Sequence, residues 1–468
     1  MSTIFDRDGN TTLSHEDLEQ LDEHDDPRDR RRILFTAGMG FFTDAYDLFI
    51  IGLVVTILQK EWGVGGLNKL LLSSGALLTA AVGACVFGRL ADKLGRRSVY
   101  GWEMLVLAAG AIASALSPSV WWLIGFRAIL GFGVGGDYPV SSTIMSEYAG
   151  RRNRGRMVAL VFSSQGIGLV VGPLLAVILL AAGISPSVTW RLLLAAGAIP
   201  ALSVFYLRRR VAETPRFRLL VQHREEAEGT AGAQPLRESV LFTSRKLRRW
   251  LFAISATWFL FDFAYYGDTI GSSQIVKKVV SHASVLQTSA INLAIFAIFS
   301  LPAFYLAAFT IDRIGRKTMQ MIGFLGITAG FAILATVPTA RTETVLFIIV
   351  FGATYFFSQF GPNTTTFVFP SEIFPVSVRT TGDGIAAGIA KLGAFAGAAV
   401  LPALLSSLGL ATMVIIPAGV AALGAMVTLL LPEPKGQSLE SLTDDPILQP
   451  RRGASFGPRP QEEPALSP

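Results

Sequence analysis

Apolar stretches of about 20 residues alternate with short polar loops along most of the chain. That length crosses the hydrocarbon core of a bilayer as a helix. The pattern predicts spans at residues 33–58, 70–88, 98–117, 121–146, 157–182, 190–207, 250–272, 288–311, 317–337, 344–370, 383–406 and 411–431. The expected fold is an all-α membrane protein with twelve transmembrane helices in two six-helix bundles.

Alternate loops differ in charge. Those after the second, fourth, sixth, eighth and tenth spans carry Arg89–Arg97, Arg151–Arg156, Arg208–Arg210, Arg313–Lys317 and Arg379; the opposite loops hold little beyond Lys60, Lys69, Lys277, Lys278 and Arg341. Positive charge marks the cytoplasmic face, so both termini are expected there, in a multi-pass protein of the plasma (inner) membrane. Short segments also recur. Asp92-Lys93-Leu94-Gly95-Arg96-Arg97 returns 220 residues later as Asp312-Arg313-Ile314-Gly315-Arg316-Lys317, and Glu147 with Arg154 returns 225 residues later as Glu372 with Arg379. Matching loops imply halves related by a pseudo-twofold axis along the membrane normal, with a substrate site near midplane between them. The expected organisation is a cytoplasmic N-terminal segment at 1–32, bundles at 33–207 and 250–431, a central cytoplasmic loop at 208–249 and a largely disordered, Pro-rich cytoplasmic tail at 432–468.

Composition removes other classes. The chain is 51% hydrophobic and only 16% charged, with mean hydropathy +0.50, too little polar surface for a soluble protein. The net charge of +6 sits in short loops, which argues against nucleic acid as a partner. Cys85 is the only cysteine and there are four histidines, so no disulfide framework, metal site or other cofactor is expected. No nucleotide-binding glycine loop points to ATP, no catalytic constellation points to an enzyme, and the acidic N-terminus lacks the apolar core of a signal peptide. Asp6-Arg7-Asp8-Gly9-Asn10-Thr11 through Asp17 follows calcium-loop spacing. Thr11 replaces its turn glycine and Asp17 its bidentate glutamate, so it reads as a capped helix start.

The loop motifs carry a resemblance. Gly88-Arg89-Leu90-Ala91-Asp92-Lys93-Leu94-Gly95-Arg96-Arg97 resembles the signature loop of the major facilitator superfamily, while Glu213-Thr214-Pro215-Arg216 and Pro432-Glu433-Pro434-Lys435-Gly436 resemble motifs of its sugar-porter-like branch. Phe41-Phe42-Thr43-Asp44-Ala45-Tyr46-Asp47-Leu48-Phe49, Gly131-Phe132-Gly133-Val134-Gly135-Gly136-Asp137-Tyr138-Pro139, Trp258-Phe259-Leu260-Phe261-Asp262 and Phe360-Gly361-Pro362-Asn363 are similar to segments of the phosphate:proton symporters. The resemblance spans nearly all of residues 33–440. It implies a conformational latch built from Asp92, Arg96, Arg97, Glu147, Arg154, Asp312, Arg316, Glu372 and Arg379. Three features depart from the family: Asp383 stands where a histidine is expected, Asp268 adds an acid in the seventh span, and the central loop is shorter than in eukaryotic members.

Ionisable residues inside spans are costly and mark functional positions. Asp44 and Asp47 share one face of the first span, Asp137 lies in the fourth, Asp262 in the seventh and Lys391 in the eleventh, while Arg127 enters the fourth from outside. Trp258, Asp262 and Tyr266 follow each other at intervals of four and form one stripe. The resemblance implies that this stripe, with Tyr138, Gln165 and Asn363, surrounds inorganic phosphate. Hydroxyls, an indole N–H and amides donate to phosphate oxygens, and the Asp262 carboxylate accepts from a phosphate O–H. Proton coupling needs a carboxylate that takes up a proton when desolvated; Asp44, Asp137 and Asp262 are the candidates. Arg127, Lys391 and Asp47 are candidates for the ion pathway, with Lys391 either pairing with Asp262 or drawing the anion inward.

The expected function is phosphate import by proton-coupled alternating access, in a protein acting as a monomer within the lipid bilayer. A symporter of another small solute, such as a sugar or organic anion, and a non-transporting phosphate sensor are the alternatives.

Overall fold

A computed structural model describes residues 27–218, 221, 238–280, 283–439 and 442. The calcium-loop-like segment at 6–17, much of the central loop and most of the tail lie outside the described residues. Among those described there is no strand, and the helices run in the expected order. The first half contains α1 (Pro27–Glu61), α2 (Gly66–Leu94), α3 (Arg96–Ala115), α4 (Val120–Tyr148), α5 (Arg154–Ala181) and α6 (Pro186–Arg208). The second contains α7 (Arg245–Val279), α8 (Val285–Ile314), α9 (Arg316–Thr336), α10 (Thr344–Ile373), α11 (379–408) and α12 (410–428).

By length and apolarity alone, nine described segments qualify as spans. The last of these is two helices joined end to end, broken where Gly409 takes φ +79, a left-handed conformation that glycine adopts without steric cost. The other two helices, α4 and α7, are less apolar because aromatic and polar side chains interrupt them. Those interruptions include Asp137, Tyr138, Trp258, Asp262 and Tyr266. The helices that look least like membrane spans thus carry the candidate site.

Helices approach closely where side chains are small. Gly131 and Gly135 of α4 lie against backbone carbonyls of α2, and a Cβ on Gly397 of α11 would collide with the Phe263 carbonyl of α7. The halves meet along α2–α11, α5–α8 and α1–α7. Within α10, Gln359–Asn363 form a π-helical turn where Pro362 has no N–H to give and Gly361 sits at φ −105, ψ −107. The hydroxyls of Thr364, Thr365 and Thr366 bond the carbonyls of Gln359, Gly361 and Pro362 at 2.7, 3.0 and 2.7 Å. Such turns re-aim side chains inside an otherwise regular helix.

Candidate functional site

At the seam between the halves, Lys391 of α11 points at α7. Its ammonium donates to Asp262 Oδ2 at 3.0 Å and to the Tyr266 hydroxyl at 2.9 Å. It also lies 4.3 Å from the ring centre of Tyr138 and 4.5 Å from that of Tyr266. Contact with aromatic faces is favourable for a cation, more so away from water. The Tyr138 and Tyr266 hydroxyls stand 3.4 Å apart, and Gln165 of α5 donates from Nε2 to the Tyr138 hydroxyl at 3.1 Å. Polar groups from α4, α5, α7 and α11 therefore form one connected cluster, contributed by both halves. Trp258 flanks it, with its ring centre 6.2 Å from that of Tyr138. All of these side chains are buried. Asn363 stands on the π-helical turn of α10 and donates to Gln359 Oε1 at 2.5 Å.

The stripe spacing on α7 thus puts Trp258, Asp262 and Tyr266 on the face that meets the other half. Spacing along a helix reveals its face, but the partner brought to that face depends on packing. Lys391 is that partner, bonded to Asp262 across the α7–α11 contact.

The first-half acids divide into clamped and unclamped groups. Asp137 is held by Arg208, whose Nη1 and Nη2 lie 2.5 and 3.1 Å from its two oxygens, and it accepts from Ser141 at 2.5 Å. The same guanidinium reaches Glu103 of α3 at 2.8 Å. A fork that satisfies a carboxylate at both oxygens is a strong charge-assisted contact. Asp44 is fully buried and among the described residues neither oxygen has a hydrogen-bond partner; the charged groups around it are Asp137, Arg208, Asp47 and Lys391. Asp47 has two unpartnered oxygens as well. Arg127 crosses from α4 to donate to the Asp47 backbone carbonyl at 3.3 Å, leaving its Nε and Nη1 unpartnered.

Sequence reasoning missed Arg208 and Glu103. Arg208 opens a run of three arginines and reads as loop charge, yet it is the last residue of α6 and completely buried. Glu103 is a lone acid inside an apolar stretch, the same signal that marks Asp262, and could have been found by that rule. Asp383 is buried at the start of α11 and accepts from Ser142 of α4, so this acid joins the two halves. Asp268 is buried in α7, with no ion pair among the described residues.

The latch candidates gather at the end of the bundle bearing the basic loops, and their geometry is reciprocal. Asp92 of α2 accepts from the N–H groups of Thr380 and Thr381, at 3.3 and 2.6 Å, in the first turn of α11. Asp312 of α8 accepts from the N–H of Arg156, at 2.8 Å, in the first turn of α5. Each acid caps a helix of the opposite half, where unpaired N–H groups and the helix dipole favour a negative charge. Arg96 joins Asp92 and Glu147 at 3.1 and 3.3 Å; Arg316 joins Asp312 and Glu372 at 2.8 and 2.6 Å. Glu147 also crosses the seam to Arg379 at 2.9 Å. Glu213 accepts from the N–H groups of Arg96 and Arg97 at 3.2 and 3.1 Å, and Glu433 from those of Arg316 and Lys317 at 3.0 and 2.9 Å. Arg154 donates to the Gln437 carbonyl at 3.3 Å. Arg97 contributes this backbone bond while its residue surface is exposed.

Comparisons with known proteins agree with this architecture. Residues 33–445 match the family described as "Sugar (and other) transporter". "Probable inorganic phosphate transporter 1-6" of Arabidopsis thaliana is 33% identical, with 87% of this chain and 92% of the relative covered. "Inorganic phosphate transporter 1-2" of Oryza sativa subsp. japonica is 34% identical, covering 88% and 93%. "Low affinity inorganic phosphate transporter 1" of Petunia hybrida is 35% identical, covering 87% and 91%. Among solved structures, the proton:xylose symporter XylE bound to 6-bromo-6-deoxy-D-glucose has a TM-score of 0.74 at 21% identity, covering 88% of this chain and 98% of that one. The inward-open xylose transporter XylE from E. coli has a TM-score of 0.65 at 21% identity, covering 88% and 99%. With this family match and these relatives, the chain belongs to the major facilitator superfamily, in the family of inorganic phosphate transporters.

Proposed function

We propose that this protein imports inorganic phosphate with protons across the plasma membrane by alternating access. It works as a monomer, catalyses no bond change, and keeps the latch end and both termini in the cytoplasm. The carrying observation is Lys391, a buried ammonium held between the Asp262 carboxylate and the Tyr266 hydroxyl at the seam. Around it, Tyr138, Gln165 and Trp258 supply donors for phosphate oxygens, and the relatives are phosphate transporters by name.

The chemistry follows from competition for one cation. An ionised Asp262 occupies Lys391 and repels an incoming anion. A proton on Asp262 removes both obstacles, so that Lys391 and the hydroxyls turn to phosphate while the Asp262 O–H or its remaining oxygen bonds the ligand. Loss of that proton on the cytoplasmic side restores the ion pair and expels the anion. Proton and phosphate thus enter together, because neither alone leaves the site electrically satisfied. Asp44, which lacks hydrogen-bond partners, is the second proton carrier. Asp137, clamped by Arg208, holds the local geometry instead. The anion next passes the latch end, where the two half-to-half caps must part. Arg127 and Asp47 border the pathway from the other end.

The test is labelled-phosphate uptake into proteoliposomes. Uptake is expected to rise with an inward proton gradient, to collapse with a protonophore and to be indifferent to sodium. Sodium-dependent uptake that survives the protonophore would overturn the coupling.

A further inference from the structure

The seam also holds a small cavity, separated from the Lys391 cluster by the ring of Phe49. Phe49 stacks on Tyr266 with ring centres 5.0 Å apart and meets Tyr265 edge-on at 5.5 Å, while also lining the cavity. The two walls differ. Helices α1 and α5 present mainly apolar groups, whereas α7 and α8 present Thr269, Ser272, Ser273 and Asn292; among the described residues no charged side chain lines the space. Asn292 donates from Nδ2 to Ser273 Oγ at 3.1 Å, and among the described residues its Oδ1 has no partner although the residue is 5% exposed. Buried polar atoms are nearly always bonded, so this acceptor lacks a donor that something else can bring.

We propose that this chamber is an outer subsite where a singly charged, protonated oxyanion stops before Phe49 swings aside. The inference rests on the phosphate-import reading and adds a second binding position to it. The hydroxyls of Thr269, Ser272 and Ser273 donate to the ion's oxygens, and Asn292 Oδ1 accepts its O–H. A fully deprotonated oxyanion has no hydrogen for that acceptor. A doubly charged one carries a much larger desolvation cost with no cation in the chamber to offset it. Once the halves part at this end and widen the space, the chamber therefore admits the monoanion and holds it weakly, and the ion moves on to the Lys391 ammonium. Because the cavity lies along α1–α7 and α5–α8, parting the halves at this end widens it.

The experiment measures half-saturating phosphate from each face of oriented proteoliposomes for wild type, Asn292→Leu and Thr269→Val. Removing one hydrogen bond to a charged ligand predicts about a tenfold rise at the outer face, with the value at the inner face unchanged. The near-isosteric Thr269→Val keeps the test open if Asn292→Leu folds poorly. Equal rises at both faces, or no rise in folded protein, would overturn the subsite while leaving import intact. Absence of phosphate uptake by wild type would instead remove the import reading itself. As a second readout, phosphate should slow thiol labelling of Ser272→Cys in a Cys85→Ser background applied from outside. Labelling that ignores phosphate counts against the subsite.

Discussion

Asp262→Asn isolates the competition between a carboxylate and phosphate for one ammonium. The substitution keeps the shape of the side chain but removes the counter-ion 3.0 Å from Lys391. Breaking one side of a buried ion pair costs about 3–5 kcal/mol. Here part is recovered, because the ammonium keeps the Tyr266 hydroxyl at 2.9 Å and the faces of two tyrosines, together worth about 2 kcal/mol in a desolvated site. Roughly 1–3 kcal/mol is left uncompensated, and an anion that reaches Lys391 regains it. Phosphate should therefore bind the variant about 5- to 150-fold more tightly than wild type. It should also raise the variant's melting temperature by more than it raises that of wild type. Net uptake should nearly vanish, since no carboxylate remains to recapture the lysine and expel the ligand. Calorimetric binding, melting with and without phosphate, and uptake on the same purified protein make the comparison. Weaker binding in well-folded Asp262→Asn, or uptake at the wild-type rate, would refute the reasoning.

Four other substitutions test the supporting structure. Arg208→Gln strands Asp137 and Glu103 without their cation and should cost about 3–5 kcal/mol, read as lost monodisperse protein; adding Asp137→Asn should recover much of the yield. Asp92→Asn should slow turnover more than it changes phosphate affinity, because it weakens a cap between halves worth about 0.5–2 kcal/mol. Asp312→Asn should do the same more mildly, since its carboxylate side chain is 22% exposed against 4% for Asp92; equal rates in all three proteins would count against the latch. Gly397→Leu drives a side chain into the Phe263 carbonyl, and should lower both thermal stability, by about 1–3 kcal/mol or more, and folded yield.

Much of this arrangement is written in the order of residues. Twelve spans, the duplicated loops and the α7 stripe follow from length, repetition and helical period, which are local or nearly local properties. The polar α4 and α7 remain recognisable because the flanking spans and loops constrain where they run. What sequence leaves open is azimuth across helices. Lys391 at a known depth faces either Asp262 or another neighbour until α11 is packed on α7, and Gly393 and Gly397 against α7 carbonyls set that packing. Arg208 is hidden for another reason. It sits at the boundary where an arginine either snorkels to water or turns inward, and two buried acids on other helices decide between them. The unpartnered oxygens of Asp44 and Asn292 are likewise invisible, since an unmet hydrogen bond is a property of three-dimensional surroundings.

The reciprocity of Asp92 and Asp312 bears on leakage. Each acid secures the first turn of a helix in the opposite half, so the closed mouth is fastened by two similar bolts on either side of the pseudo-axis. Releasing one leaves the other resisting the same rotation, and a partial breach gains no path wide enough to compensate for the lost contacts. Under the proposed alternating-access reading, the mouth is then expected to favour the shut or fully open state over a slightly ajar one. For the proposed import, such a pair of bolts would suppress slow backflow through thermally jostled carriers, a loss that grows with every ion accumulated.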